Sequence, residues 1–104
     1  MSITYTYAEL TSVNGTDQTI YTVPADTVAI IAAVIVGNSD SSEQTITNIK
    51  LAGTEYLTGK AIPSDGQLLS ELEGQFLAAG ETVQITATGS FINIRLSIKE
   101  RSLS

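Results

Sequence analysis

The sequence predicts an all-β fold: a two-sheet antiparallel sandwich of immunoglobulin-like or jelly-roll type, with seven to eight short strands. Three observations predict it. Thr and Ser fill about a quarter of the 104 residues. Val, Ile and Thr recur with a two-residue period, the spacing of a strand face. Turn residues punctuate the chain at short intervals, with no clear helical stretch between them.

Taken in order, Ile3, Tyr5 and Tyr7 alternate with Thr4 and Thr6 and predict a first strand, aromatic on one face, to about Leu10. Asn14-Gly15 reads as a tight turn. A second strand, Ile20 to Pro24, stops at Pro24-Ala25-Asp26 because proline has no N–H to give a ladder. The run Val28 to Val36 is apolar on both alternating faces, with Val28, Ile30, Val34 and Val36 on one and Ile31 and Ile35 on the other. Such a strand is covered on both sides, yet a two-layer sandwich covers only one face of each sheet. A neighbouring subunit, a packed loop or a small helix must supply the rest. Val28, Ile30, Ile31 and Ile35 are therefore candidate interface residues, and the small Ala29, Ala32 and Ala33 keep the loop alternative open.

Asn38 to Glu43 forms a polar turn, and Thr45 to Leu51 a strand whose apolar phase slips between Ile46 and Ile49, predicting a bulge near Asn48. Gly53 ends it, and Glu55-Tyr56-Leu57 makes a brief strand. Gly59 to Gly66 is the longest irregular connection and a candidate recognition loop, with Tyr56, Lys60, Pro63 and Asp65 as its contact residues. Gln67 to Leu77 fits a helical face about as well as a strand face, and Gly74 with the all-β context favours strand. After the turn Ala79-Gly80-Glu81, Val83, Ile85 and Ala87 alternate up to Gly89-Ser90, predicting a hairpin into a last strand with Ile92, Ile94, Leu96 and Ile98 on one face. A short polar tail, 99–104, closes a single domain spanning 1–104.

Composition narrows function more than it defines it. Eleven acidic and five basic residues give a net charge of −6, which opposes a nucleic-acid backbone. Arg95, Lys99 and Arg101 are read as part of a solvated last strand and tail. The longest apolar run is too short for a bilayer-spanning helix of about 20 residues, and Met1 to Tyr5 lacks the basic and apolar regions of a secretory signal, so synthesis in a cytoplasm is expected. With no Cys and no His, disulfides, thiolate metal sites, imidazole bases and the usual nucleophile pairs are excluded. Glu71 and Glu73 have the types but not the specificity of a glycosidase pair, and Asn38, Asp40 and Glu43 fall short of a calcium loop. No catalytic, cofactor or metal site is predicted.

Two stretches carry a resemblance. Ile20-Tyr21-Thr22-Val23-Pro24-Ala25-Asp26-Thr27 leads into an apolar strand, and Leu77-Ala78-Ala79-Gly80-Glu81-Thr82-Val83-Gln84-Ile85-Thr86-Ala87 leads into a late one. Together they make the chain, over roughly residues 18–98, similar to small β-sandwich virion structural proteins of tailed bacteriophages, which serve as capsid decoration (cement) or neck and tail accessory proteins. The resemblance implies a non-enzymatic protein on the outer capsid, bound to the major capsid protein or another virion protein. It also implies a homo-oligomer, with a trimer favoured, that reaches the virion after synthesis in the host bacterial cytoplasm. Nucleic acid, membrane and cofactors are not expected partners. A receptor- or glycan-binding module of a tail fibre or surface appendage is the alternative.

Overall fold

The computed structural model describes residues 2–103. Seven strands, all antiparallel, form one hydrogen-bonded sheet curled into a half-barrel. They are β1 (Ile3–Thr22), β2 (Thr27–Asn38), β3 (Gln44–Leu51), β4 (Thr54–Ile62), β5 (Gln67–Leu68), β6 (Phe76–Leu77) and β7 (Thr82–Ser102), with one 3-10 turn at Ser70–Leu72. The all-β class holds. β7 is the central strand. Along one edge it pairs with β1 over nearly its whole length; along the other, Val83 to Ala87 pair with β3 and Ile92 to Ser102 with β2. β4 continues the sheet beyond β3, and β5 and β6 both add to β2.

Two turns expected from the sequence are corners instead. Asn14-Gly15 lies inside β1, and Gly89-Ser90 lies inside β7. They meet across the ladder, where Val13 faces Ile92 and Gly15 faces Ala87 with a register shift between. The two paired strands bend together there, and neither folds back as a hairpin. Gly89 has φ +94° and Ser90 φ +62°, so extra residues bulge out of β7 and the inward phase changes from Val83, Ile85 and Ala87 to Ile92, Ile94, Leu96 and Ile98. β1 bends by the same device at Ser12 (φ 51°) and Asp17 (φ 49°). Side chains of β7 pin both bulges: the Ser12 amide donates to Asn93 Oδ1 at 2.7 Å, and the Asp17 amide to Thr86 Oγ1 at 2.8 Å. Lys50 adds an ion pair to Asp17 at 3.1 Å.

The predicted slip near Asn48 is present as a register shift between Ile46 and Asn48. Ala52 and Gly53, both left-handed, make the two-residue β3–β4 turn. β4 runs on to Ile62, so the irregular connection shortens to Pro63–Gly66, and Gly59 and Lys60 belong to a strand. Gln67–Leu77 is neither one strand nor a helix, but two two-residue strands flanking the 3-10 turn. β7 reaches Ser102, so Lys99 to Ser102 are strand and not tail, while Ser104 lies outside the described residues.

The concave side of the sheet holds the core, which includes Ile31, Val34 and Val36 from β2, Ile46 and Ile49 from β3, Ile62, and the whole inward row of β7. The gap between β4 and the β5/β6 edge is filled from the 67–77 segment. Leu69 and Leu72 are buried there, the Leu69 amide donates to the Val34 carbonyl, and Lys60 Nζ meets Glu71 Oε2 at 2.9 Å. Gly66 begins this plug with φ +84°, and a Cβ on it would stand 2.6 Å from the Val36 carbonyl oxygen. Removing the plug's apolar contact leaves a cavity in the core. Leu69→Ala is expected to lower stability by about 2–5 kcal/mol, measured as a fall in urea midpoint with an unchanged slope.

Candidate interaction surface

Side chains that oppose each other across a ladder share a face, so the register dictates what the convex side of the β1–β7–β2 arm displays. One row runs Tyr5, Lys99, Ile30, Phe76; the next has Tyr7, Ser97, Ala33; a third has Glu9, Arg95, Ile35, Leu68; and Ile3, Arg101 and Val28 form a fourth. Ile3, Tyr5, Tyr7, Ile30, Ile35, Leu68 and Phe76 on this face are all exposed, Tyr5 to 75 % and Phe76 to 61 %. Among the described residues, the other exposed large apolar side chains are Tyr56 and Leu103.

Basic side chains thread the apolar rows. The Arg95 guanidinium lies 3.8 Å from the centroid of the Tyr7 ring and 3.8 Å from Glu9 Oε2, and Lys99 Nζ lies 6.0 Å from the Tyr5 centroid. At its shorter distance the Arg95 guanidinium covers part of the Tyr7 ring, while Lys99 stands at the outer limit of such a contact with Tyr5. Two shallow depressions flank them. One, of about 540 Å³, is lined by residues that include Glu9, Ile35, Asp65, Leu68 and Arg95. The other, of about 370 Å³, lies among Ile3, Val28, Ile30, Phe76, Lys99 and Arg101.

The interface residues expected from the sequence divide across the sheet. Ile30 and Ile35 are exposed on the convex face and Val28 is half-buried there, but Ile31 is fully buried in the core. The cause is a register shift between Ile31 and Ala33, opposite Ile98 and Ser97 of β7. With Ala32 as the extra residue, Ala29, Ile31, Val34 and Val36 all point inward, and Ile30 shares its face with Ile35. Strict alternation from Val28 to Val36 was the wrong period for a bulged strand. Tyr5, Tyr7, Leu68 and Phe76 were missed as surface residues. The alternation of Tyr5 and Tyr7 with threonines was the available signal, but nothing in it says that the aromatic side faces outward.

The predicted recognition residues do not converge on one loop. Tyr56 projects from β4 beside a hollow of about 280 Å³ shared with Leu57, Glu71 and Gln75, and Lys60 is tied to Glu71 nearby. That hydrogen bond holds the Glu71 carboxyl below its usual pKa. Pro63 and Asp65 sit in the 63–66 turn, where Asp65 instead borders the depression next to Ile35. Two of the residues considered as ligands serve the β2–β3 turn: Asn38 donates to the Ser42 and Ile62 carbonyls and accepts from the Asp40 amide, and the Asp40 carboxylate accepts from the Ser41 amide and from Gln44 Nε2. Among the described residues no three acidic side chains gather as a metal site.

The Tyr21 hydroxyl donates to Glu100, joining the end of β1 to the end of β7. Desolvation of the phenol, together with the carboxylate acceptor, drives its pKa well above the ordinary value. No protein-family model matches this chain, and no curated protein or solved structure matches it at a significant level.

A phenol whose pKa is raised on folding contributes stability that is full below the unfolded value near 10 and is lost as pH rises past it. Unfolding midpoints are expected to hold steady to about pH 9.5 and to fall above about pH 10. Tyr21→Phe is expected to flatten part of that fall and to cost about 1 kcal/mol at neutral pH. An equally steep decline in the Phe variant would separate Tyr21 from the effect.

Proposed function

We propose that this chain is a bacteriophage virion structural protein, most specifically a capsid decoration protein that binds the outer shell and strengthens it through protein–protein contacts. The observation that carries the reading is the exposed convex face: seven large apolar side chains in adjoining rows on one arm of the sheet. Soluble monomers seldom leave such a patch uncovered unless it is an attachment site. We read the half-barrel, bent at Gly15 and Gly89, as a variant of the immunoglobulin-like or jelly-roll sandwich of such proteins. On this reading no bond is made or broken. Attachment is apolar burial at about 25 cal/mol per Å², multiplied by avidity when several copies bind.

Charge indicates what the partner surface looks like. The chain carries −6 overall, yet the convex face places Arg95 and Lys99 among its apolar residues. It therefore suits a capsid surface with carboxylates around an apolar centre, and complementary charge adds specificity and association rate. The second reading, a receptor- or glycan-binding module, draws on Tyr56, an exposed ring beside a hollow that also presents Glu71 and Gln75. Specific, saturable binding on a glycan array would select it.

Purified protein is expected to add to capsids that lack it and to raise their resistance to heat. An Ile35→Asp, Phe76→Asp variant is expected to lose that binding. Its own stability should change by no more than about 0.5 kcal/mol per site, because both side chains are exposed. Failure of the native protein to bind intact particles of its own phage, by cosedimentation, would overturn the reading.

A further inference from the structure

β1 has an open edge. Its one partner strand is β7, and among the described residues no backbone hydrogen bond joins the other edge of Ile3–Leu10 to anything. Ser2 to Tyr7 are exposed throughout, on the convex and the concave side alike. Proteins usually blunt such an edge with bulges, prolines or charge. The second half of β1 is blunted in that way, by the left-handed Ser12 and Asp17 and by the corner at Gly15. The first half is not. From Ile3 to Leu10 it pairs with β7 without a register shift, contains no proline, and carries one charged residue, Glu9.

We propose that this edge is the self-association site of the protein, and that two copies join by antiparallel pairing of β1 with β1 of the second copy about a two-fold axis. Geometry restricts the register. For the convex faces of both copies to lie on the same side, odd-numbered residues must oppose odd-numbered ones. Placing Thr6 opposite its symmetry mate then sets Tyr5 against Tyr7 of the other copy twice over, puts Ile3 opposite Glu9, and keeps the two Glu9 carboxylates apart. Aromatic cross-strand pairs are among the more favourable in sheets, and threonines meeting on the axis share hydrogen bonds. The segment is self-complementary, as an isologous interface requires.

The occupant is a second copy of this chain and not an unrelated strand, because the aromatic rows complete each other only in this self-pairing. Two exposed rings, Tyr7 under the Arg95 guanidinium and Tyr5 near Lys99, become four rings in one block. The result is a two-fold pair, and not the trimer that the resemblance to capsid cement proteins implies. It makes one continuous convex surface from two, although the inference does not depend on that surface binding a capsid.

Light scattering on the full chain tests it. A mass of twice 11.0 kDa is expected, reduced to the single mass in a Tyr5→Lys, Tyr7→Lys variant. An Ile35→Asp, Phe76→Asp variant, altered on the same face but away from the edge, should remain paired. Amide exchange in the native chain gives an independent readout: protection of residues 3–10 should increase with protein concentration, while that of residues 15–22 should not. A monomer at all concentrations, a trimer, or a pair that survives the lysine substitutions would each overturn the proposal. Capsid binding is scored separately, so loss of one result leaves the other standing.

Discussion

The register of β1 against β7 is the constraint on which the other features depend. These are the two longest strands, and they stay paired through a corner that would normally end both. Because Val13 faces Ile92 and Gly15 faces Ala87, one sheet has two arms with different inward phases. β3 can then line the first arm and β2 the second. A one-residue slip would turn every apolar row of an arm to the wrong side. Hydrogen bonds from the Ser12 and Asp17 amides to Asn93 and Thr86 hold the register where backbone pairing alone is interrupted.

What the sequence made legible follows from what a period can encode. Alternation identified the strand content, the inward row Ile92 to Ile98, the stop at Pro24 and the slip beside Asn48. It could not separate a turn from a corner, because Asn14-Gly15 and Gly89-Ser90 supply the left-handed backbone that either one needs. The difference lies in what stands opposite, and that is a long-range fact. The same limit explains Ile31: a bulge at Ala32 leaves no local signature in a run of alanines and branched residues, so residues assigned to a surface were split between surface and core. The convex face was half legible, through Ile30 and Ile35. Its remainder comes from β1, β5 and β6, which only the tertiary pairing brings alongside.

Polar locks join the ends and corners of the strands. Tyr21 with Glu100 ties the strand ends, Asp17 with Lys50 and Thr86 braces the corner, and Asn38 bridges the β2–β3 turn to Ile62. A core without sulfur cross-links gains position-specific restraint from such bonds, since each buried donor or acceptor leaves a penalty if its partner moves away. The surface follows a different logic. There Arg95 lies over Tyr7, while Tyr5 and Phe76 stay largely exposed, an arrangement that leaves apolar area to be buried later.

The central strand is also the last one made. Until Thr82–Ser102 has left the ribosome, the chain can form only the β3–β4 hairpin and the two short additions to β2. Both β1 and the apolar length of β2 must wait, since nearly all of their pairing is with β7. Vectorial synthesis therefore yields no partly finished arm. The nascent chain carries Val28 to Val36 without its main partner strand until β7 emerges, and the arms then form through loop closures that span most of the described strands, the slow regime for β proteins. An architecture whose arms share one late keystone strand leaves β1 and β2 without their main partner until that strand arrives, and makes the waiting period the point of greatest exposure to aggregation.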